Sequence, residues 1–272
     1  MLKTYFDFTD RFIGFQNTPL LWNSDAIDTL VQFNIAPTQR NYNVKSNQKK
    51  MRLGKWVESF TAFQLQQIEG IEFIAENLQI ITNKQTIGEI DFLLLNNEVP
   101  IHLEIAYKFY LYDYTNEYLN PLDYWIGPNR TDSLSLKLKK LIQKQLPLLY
   151  KTETKLALKE LGFENQNFEQ YVNFKAQLFV PLNKKKIDFN LLNKKCIAGF
   201  YLHFNNVEIL KNNHFYIPNK LDWLVEPKLN VEWLSFNNAK NILRILISKQ
   251  QSPLCWLKDN DNQLIKCFVT WW

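Results

Sequence analysis

Asp91 and Glu104 carry the most chemical promise in this chain, because the residues around them predict two carboxylates facing each other. The stretch Gly88 to Tyr110 reads GEIDFLLLNNEVPIHLEIAYKFY. Its alternation predicts a β-hairpin, with Ile90, Phe92 and Leu94 on one face of the first arm and Ile101, Leu103 and Ile105 on one face of the second. A two-residue loop at Asn97-Glu98 sets the register: Ile90 faces Ile105, Phe92 faces Leu103 and Leu94 faces Ile101. The same register puts Asp91 opposite Glu104, with Glu89 and Lys108 nearby along the arms. Like charges directly opposed across an antiparallel pair cost about 0.2–1 kcal/mol. A divalent cation held between the carboxylates would remove that cost.

The surrounding elements must position these groups. From Leu53 to about Glu72 the spacing of Trp56, Phe60, Phe63, Gln67 and Ile71 predicts an amphipathic helix. Glu58 falls with Gly54, Ala62 and Leu65, away from the aromatic stripe. It is a solvated helix residue on one reading. On the other, the small Gly54 and Ala62 let the helix approach the sheet, and Glu58 reaches the carboxylates. A strand from Leu78 to Thr82 precedes the hairpin. A polar and aromatic loop, Asp113 to Asn129, follows it. A second helix is expected from an N-cap at Asp132 to about Leu146, before Pro147, with Leu134, Leu138, Leu141 and Ile142 as its apolar stripe. Gln145 lies in line with that stripe. Lys137, Lys140 and Lys144 flank it, and Lys151, Lys155 and Lys159 extend a basic strip of the kind that can track phosphates.

Further along, Tyr171 to Val180, Ile197 to Phe204 and Phe215 to Ile217 read as strands. A helix is expected near Asn237 to Ser248, then strands at Leu254 to Leu257 and Leu264 to Trp271. Upstream, residues 1–30 suggest a short helix, a turn at Thr18-Pro19 and another helix. Residues 36–50, ending in Lys49 and Lys50, read as a loop, as does the segment holding Lys184, Lys185 and Lys186.

At 272 residues the chain is expected to form a single domain: an N-terminal helical and loop extension (1–52), a core (53–182) and a β-rich C-terminal elaboration (183–272). The fold class is α/β. No run approaches the roughly 18 apolar residues of a membrane span, and the first residues do not resemble a signal peptide, so a cytoplasmic protein is expected. Cys196, Cys255 and Cys267 are widely spaced and fall in no zinc pattern with the histidines. Clustered carboxylates instead favour a hard cation bound by oxygen. A net charge of +5 is compatible with a polyanionic partner, but equally with an ordinary basic surface.

An acidic residue on one strand, Glu and Lys on the next, and a preceding helix bearing Glu together resemble the PD-(D/E)xK nuclease superfamily. The resemblance implies an αβββαβ core, with a mixed sheet flanked by helices. It implies Mg2+ (or Mn2+) at Asp91 and Glu104, with Glu89 beside them, and Lys108 orienting or activating water. Glu58 would complete the metal shell, with His102 and Gln145 as further candidates. The signature of that superfamily is Glu-x-Lys, whereas here Ala106 takes the Lys position and Lys108 lies about 6–7 Å further along the strand by the usual rise.

A closer similarity is to the domain of unknown function 1853 family. It is carried by Leu53-Gly54-Lys55-Trp56-Val57-Glu58, Gly88 to Phe92, His102 to Tyr110, Gly127-Pro128-Asn129, Asp132, Lys137-Leu138 and Gln145-Leu146. The family pattern carries its lysine four places after the Glu. The expected function is a Mg2+-dependent nuclease acting on DNA or RNA, with Lys137, Lys140 and Lys144 contacting nucleic acid. The alternative is a catalytically inactive nuclease-fold protein that binds nucleic acid or serves as an adaptor. A third reading makes Glu104 and Lys108 a surface ion pair.

Overall fold

The computed structural model describes residues 6–23, 27, 29–42, 51–183, 187–189 and 191–272. Lys49, Lys50 and Lys184 to Lys186 lie outside the described residues. Alternation in the 88–110 stretch becomes strands β2 (Gln85–Asn96) and β3 (Val99–Tyr112), antiparallel and preceded by β1 (Ile71–Thr82). The loop between β2 and β3 is Asn97-Glu98, both in the left-handed region (φ 47° and 70°), as a tight twisted hairpin turn requires. Asn83-Lys84 makes the same kind of turn between β1 and β2 (φ 49° and 63°). β1 starts well before the expected Leu78, because the chain leaves the preceding helix earlier and reverses at Gly70 (φ 81°).

β3 is the strand on which the two halves of the sheet meet. It pairs antiparallel with β2 on one side and parallel with β5 (Glu169–Pro181) on the other. The two-residue β4 (Trp125–Ile126), inside the expected 113–129 loop, adds to its far end. β6 (Ile197–His203) continues parallel from β5, followed by β9 (Leu264–Thr270), β8 (Leu254–Lys258) and β7 (His214–Tyr216). The result is one nine-stranded mixed sheet in the order β1-β2-β3-β5-β6-β9-β8-β7.

Helices cover both faces of the sheet. α1 (Phe8–Asn17) and α2 (Leu53–Leu65) bury the aromatic stripe, Trp56 and Phe60 with Phe12 and Phe15, against Ile105, Tyr107 and Phe109 of β3. α2 ends at Leu65, short of the expected Glu72, so Gln67 lies in a turn and Ile71 opens β1. On the opposite face α3 (Leu134–Lys140) packs Leu134 and Leu138 on Ala106 and Tyr110. Its N-cap is Ser133, whose hydroxyl accepts from the Leu136 amide, and not the expected Asp132. The α-helix is also shorter than expected. At Leu141 it widens into a π-turn (Leu141–Gln145), then tightens into a 3-10 turn (Leu146–Tyr150) containing Pro147.

α4 (Thr152–Glu160), unforeseen as a helix, follows, and α5 (Phe236–Ser248) covers the β6–β9 end. The second N-terminal helix does not form among the described residues. Leu20 instead bridges to Lys175 of β5 and Trp22 to Leu192. The buried Lys175 ammonium anchors this segment by donating to the Gln16 and Thr18 carbonyls. Among the described residues no helix is long and apolar enough to cross a membrane.

Candidate functional site

Pairing between β2 and β3 follows the expected register from Asn96↔Val99 to Phe92↔Leu103 and stops there. Asp91 and Glu104 are therefore not a cross-strand pair. The two strands separate at this point, and the Asp91 carboxylate accepts from the Ile105 amide at 2.8 Å, replacing a ladder hydrogen bond. On the other side of β2 the ladder with β1 keeps its register past this point, from Glu76↔Phe92 to Leu78↔Ile90, with Asn77 between them at a φ of 53°. Alternation slips at the same place. Phe92 and Leu94 pack on the α2 side, whereas Ile90, expected with them, joins Leu93 in the cluster under Leu148 and Leu149.

The opening lets groups from both faces of the sheet converge. Glu58 descends from α2, and its carboxylate lies with those of Glu89 and Asp91 so that one oxygen from each falls within 4.8 Å of the others. Glu58 thus reaches the carboxylates as in the second reading, but Gly54 faces open space, so its small size is not what lets the helix approach. The Lys55 ammonium spans the group, donating to Glu58 at 2.7 Å, to Asn77 at 2.8 Å and to Glu89. Its pKa is raised: burial pulls it down, and the hydrogen bonds to Glu58 and Glu89 more than offset that.

From the other face come Glu104, His102, Gln145 and Lys137. Glu104 is 0% exposed. One of its oxygens faces His102 Nε2 at 2.9 Å, and the other accepts from the Gln145 amide. Gln170 Nε2 approaches His102 Nδ1 at 2.9 Å and also donates to the Leu146 carbonyl, so His102 accepts at Nδ1 and donates at Nε2. Burial pulls His102 down to about 4, which keeps it neutral in that role. The Gln145 carbonyl oxygen accepts from Lys137 Nζ at 2.8 Å. Gln145 closes the π-turn and from there reaches both Glu104 and Lys137.

Electrostatics follow from crowding acids where water is scarce. Burial raises Asp91 to about 7, reinforced by the charge of Glu104 and relieved in part by the Ile105 amide. Burial raises Glu104 to about 7 against the pull of Lys137. Glu58 is also raised to about 7, by burial first and then by Asp91 and Glu89, although Lys55 draws it down. Lys137 moves the other way. Burial lowers it to about 8 despite the nearby Glu104 and Asp91. Shifts of this kind, with named charge partners, gather where groups are held for proton transfer or cation binding.

The sequence-based site is thus brought together at Glu58, Glu89, Asp91, Glu104 and Gln145, and not at Lys108. Lys108 shares the face of Glu104, but its ammonium turns to Asp132 at 2.5 Å. The Glu104 oxygens are already taken, and Asp132 offers a half-buried partner at the point that Lys108 reaches. The lysine beside Glu104 and Asp91 is instead Lys137, anticipated only as a nucleic-acid contact. Lys140 and Lys144 remain exposed. A helical wheel places Lys137 on the flank and gives no sign of its inward turn. Lys55 was legible as a partner three residues before Glu58, whereas Gln170 carries no local signal.

A family model described as a domain of unknown function, DUF1853, matches residues 16–266. No curated protein and no solved structure matches the chain.

Proposed function

This chain belongs to the DUF1853 family, and from that premise we propose that it hydrolyses phosphodiester bonds of DNA or RNA with a divalent cation, Mg2+ or Mn2+. The observation that carries the reading is the convergence of Glu58, Glu89 and Asp91 through the gap between β2 and β3. An all-carboxylate donor set suits a hard cation, and the Lys55 ammonium that spans it indicates that positive charge is favourable there. The chain order α2, β1 to β3, α3, β5 supports a PD-(D/E)xK-like core.

Glu58, Glu89 and Asp91 would hold the cation, which would polarise a phosphate oxygen and acidify a bound water. The protein's own contribution is positional. Glu104, clasped by His102 and Gln145, fixes the negative wall of the site and anchors Gln145. Gln145 in turn holds the Lys137 ammonium beside the carboxylates. With a pKa near 8, Lys137 can orient water as a cation and exchange a proton close to neutral pH. It takes the role that the signature gives to the residue at Ala106.

One observation favours the second reading, a binding module without catalysis: both Glu104 oxygens are occupied by protein donors, which removes an expected metal ligand. A single experiment separates the two. Purified protein is incubated with single- and double-stranded DNA and RNA plus Mn2+ or Mg2+, alongside Asp91→Asn. Metal-dependent cleavage lost in the variant supports hydrolysis. Absence of cleavage, with salt-sensitive binding that survives the substitution, would establish the module.

A further inference from the structure

A cleft of about 770 Å³ opens beside the carboxylates, between the start of α2, the 105–109 segment of β3, the 127–132 loop and the 220–223 turn. Lys137 lines the cleft and also donates to Gln145, so the cleft borders the site, although none of Glu58, Glu89, Asp91 and Glu104 lines it. Its lining is of two kinds. Arg52, Lys108, Lys137 and Lys220 bring positive charge, set against the single carboxylate of Asp132. Phe109 and Trp223 bring flat apolar surface. Trp223 is half-buried and held by edge-to-face contacts with Phe109 at 5.3 Å and Phe268 at 5.0 Å, and Lys220 Nζ lies 5.8 Å from its ring. An aromatic face with cations around it matches a ligand that joins a planar base to an anion.

We propose that this cleft binds one or two unpaired nucleotides, a base stacking at Trp223 and the backbone phosphates meeting Arg52, Lys220 and Lys137, so that the substrate is single-stranded nucleic acid. The dimensions favour this over a duplex. A recess of this volume lies within the range of about 300–1,000 Å³ that encloses small ligands, the scale of one or two nucleotides and not of a duplex. Stacking is tolerant of sequence, so the cleft selects strandedness and not a motif. The proposal rests on the phosphodiesterase reading for the reacting bond. It takes its ligand class from the lining of the cleft alone.

The test is fluorescence anisotropy with the full chain in EDTA, which separates binding from cleavage. The probes are a labelled 12-nucleotide single strand and a blunt hairpin duplex of the same sequence. The single strand should bind at least about tenfold more tightly than the duplex. Trp223→Ala should weaken single-strand binding by about tenfold and Trp223→Phe by much less, the size expected for one stacked base. Lys220→Glu, which leaves the aromatic packing intact, should weaken binding and flatten its salt dependence. Thermal melting checks that each variant is folded. Equal or tighter duplex binding overturns the proposal, as does unchanged single-strand binding in folded Trp223→Phe and Lys220→Glu together with Trp223→Ala. Single-strand binding without metal-dependent cleavage would leave the cleft assigned and refute the hydrolytic reading. Cleavage of duplex with no preference for single strands would do the reverse.

Discussion

Raising the pH from 6 to 8 should strengthen Mn2+ binding by about two orders of magnitude. Asp91 and Glu58 both stand at about 7 in the folded chain, pushed up by burial and by neighbouring carboxylates. A cation binds the ionised forms, so its affinity depends on the fraction ionised. A group at 7 is about one-tenth ionised at pH 6 and about nine-tenths at pH 8, roughly tenfold for each of two groups. Glu104 adds little, since its oxygens are held by His102 and Gln145. The carboxylates interact, so the affinity should track the cluster as a whole. Isothermal titration calorimetry at pH 6, 7 and 8, in two buffers of different ionisation heat, yields both affinity and protons released. Nearly two protons per ion should leave at pH 6, and few at pH 8. Asp91→Asn removes one titrating ligand and should weaken binding while reducing the pH dependence to about tenfold. An affinity that changes less than threefold across this range, or binding with no proton release at pH 6, would refute the assignment.

Lys137→Ala should abolish cleavage whereas Lys108→Ala should largely spare it, because Lys137 lies beside Glu104 and Asp91 while Lys108 is paired with Asp132; gel assays giving the opposite ranking would return the role to Lys108. Lys55→Met should raise Mn2+ affinity at pH 8, since it removes the ammonium that competes for Glu58 and Glu89, and weaker binding by calorimetry would contradict that role. Without metal, Asp91 is an acid whose folded pKa of about 7 lies above its ordinary 3.8, so the folded chain binds more protons between those values. Its contribution to stability is present below about pH 4, fades as pH rises to about 7 and is absent above. Asp91→Asn should therefore gain in melting temperature relative to the parent as pH goes from 5 to 8 in EDTA, and a constant or shrinking difference would disprove the shift. Gly14→Ala should cost at least about 1–3 kcal/mol in urea unfolding, because its Cβ would fall 2.0 Å from the Leu224 carbonyl oxygen, a backbone atom that cannot move aside cheaply.

The hairpin was legible because two signals agreed: strict alternation set which side chains face inward, and Asn97-Glu98 set the loop length. The register followed from those two as far as Phe92 and Leu103. Beyond that point the sequence still alternates, but two buried acids cannot share a ladder position as neutral residues do. At that point the Asp91 carboxylate takes the Ile105 amide instead, a side-chain to backbone contact that no hairpin rule includes. Glu58 illustrates a different limit. The wheel placed it correctly off the aromatic stripe, yet whether that side meets water or sheet depends on how closely α2 can approach. Lys137 and Gln145 meet across the change from α to π winding at Leu141, and neither residue type nor spacing announces that change. Parallel strands beyond β5 were visible as apolar runs, while their order was not, since nothing local specifies which strand neighbours β6.

That order has a consequence for how the chain is made. β9 sits inside the sheet between β6 and β8, although it comes later in the sequence than every other described strand. Until residues 264–270 have left the ribosome, β6 shows an open hydrogen-bonding edge, and the β7–β8 pair has nothing to dock on. Exposed edges of this kind invite pairing with other chains. The β2–β3 hairpin can form early, but the sheet that flanks it closes only when residues 264–270 arrive, so a ribosome stalled near residue 260 would hold a sheet missing its keystone.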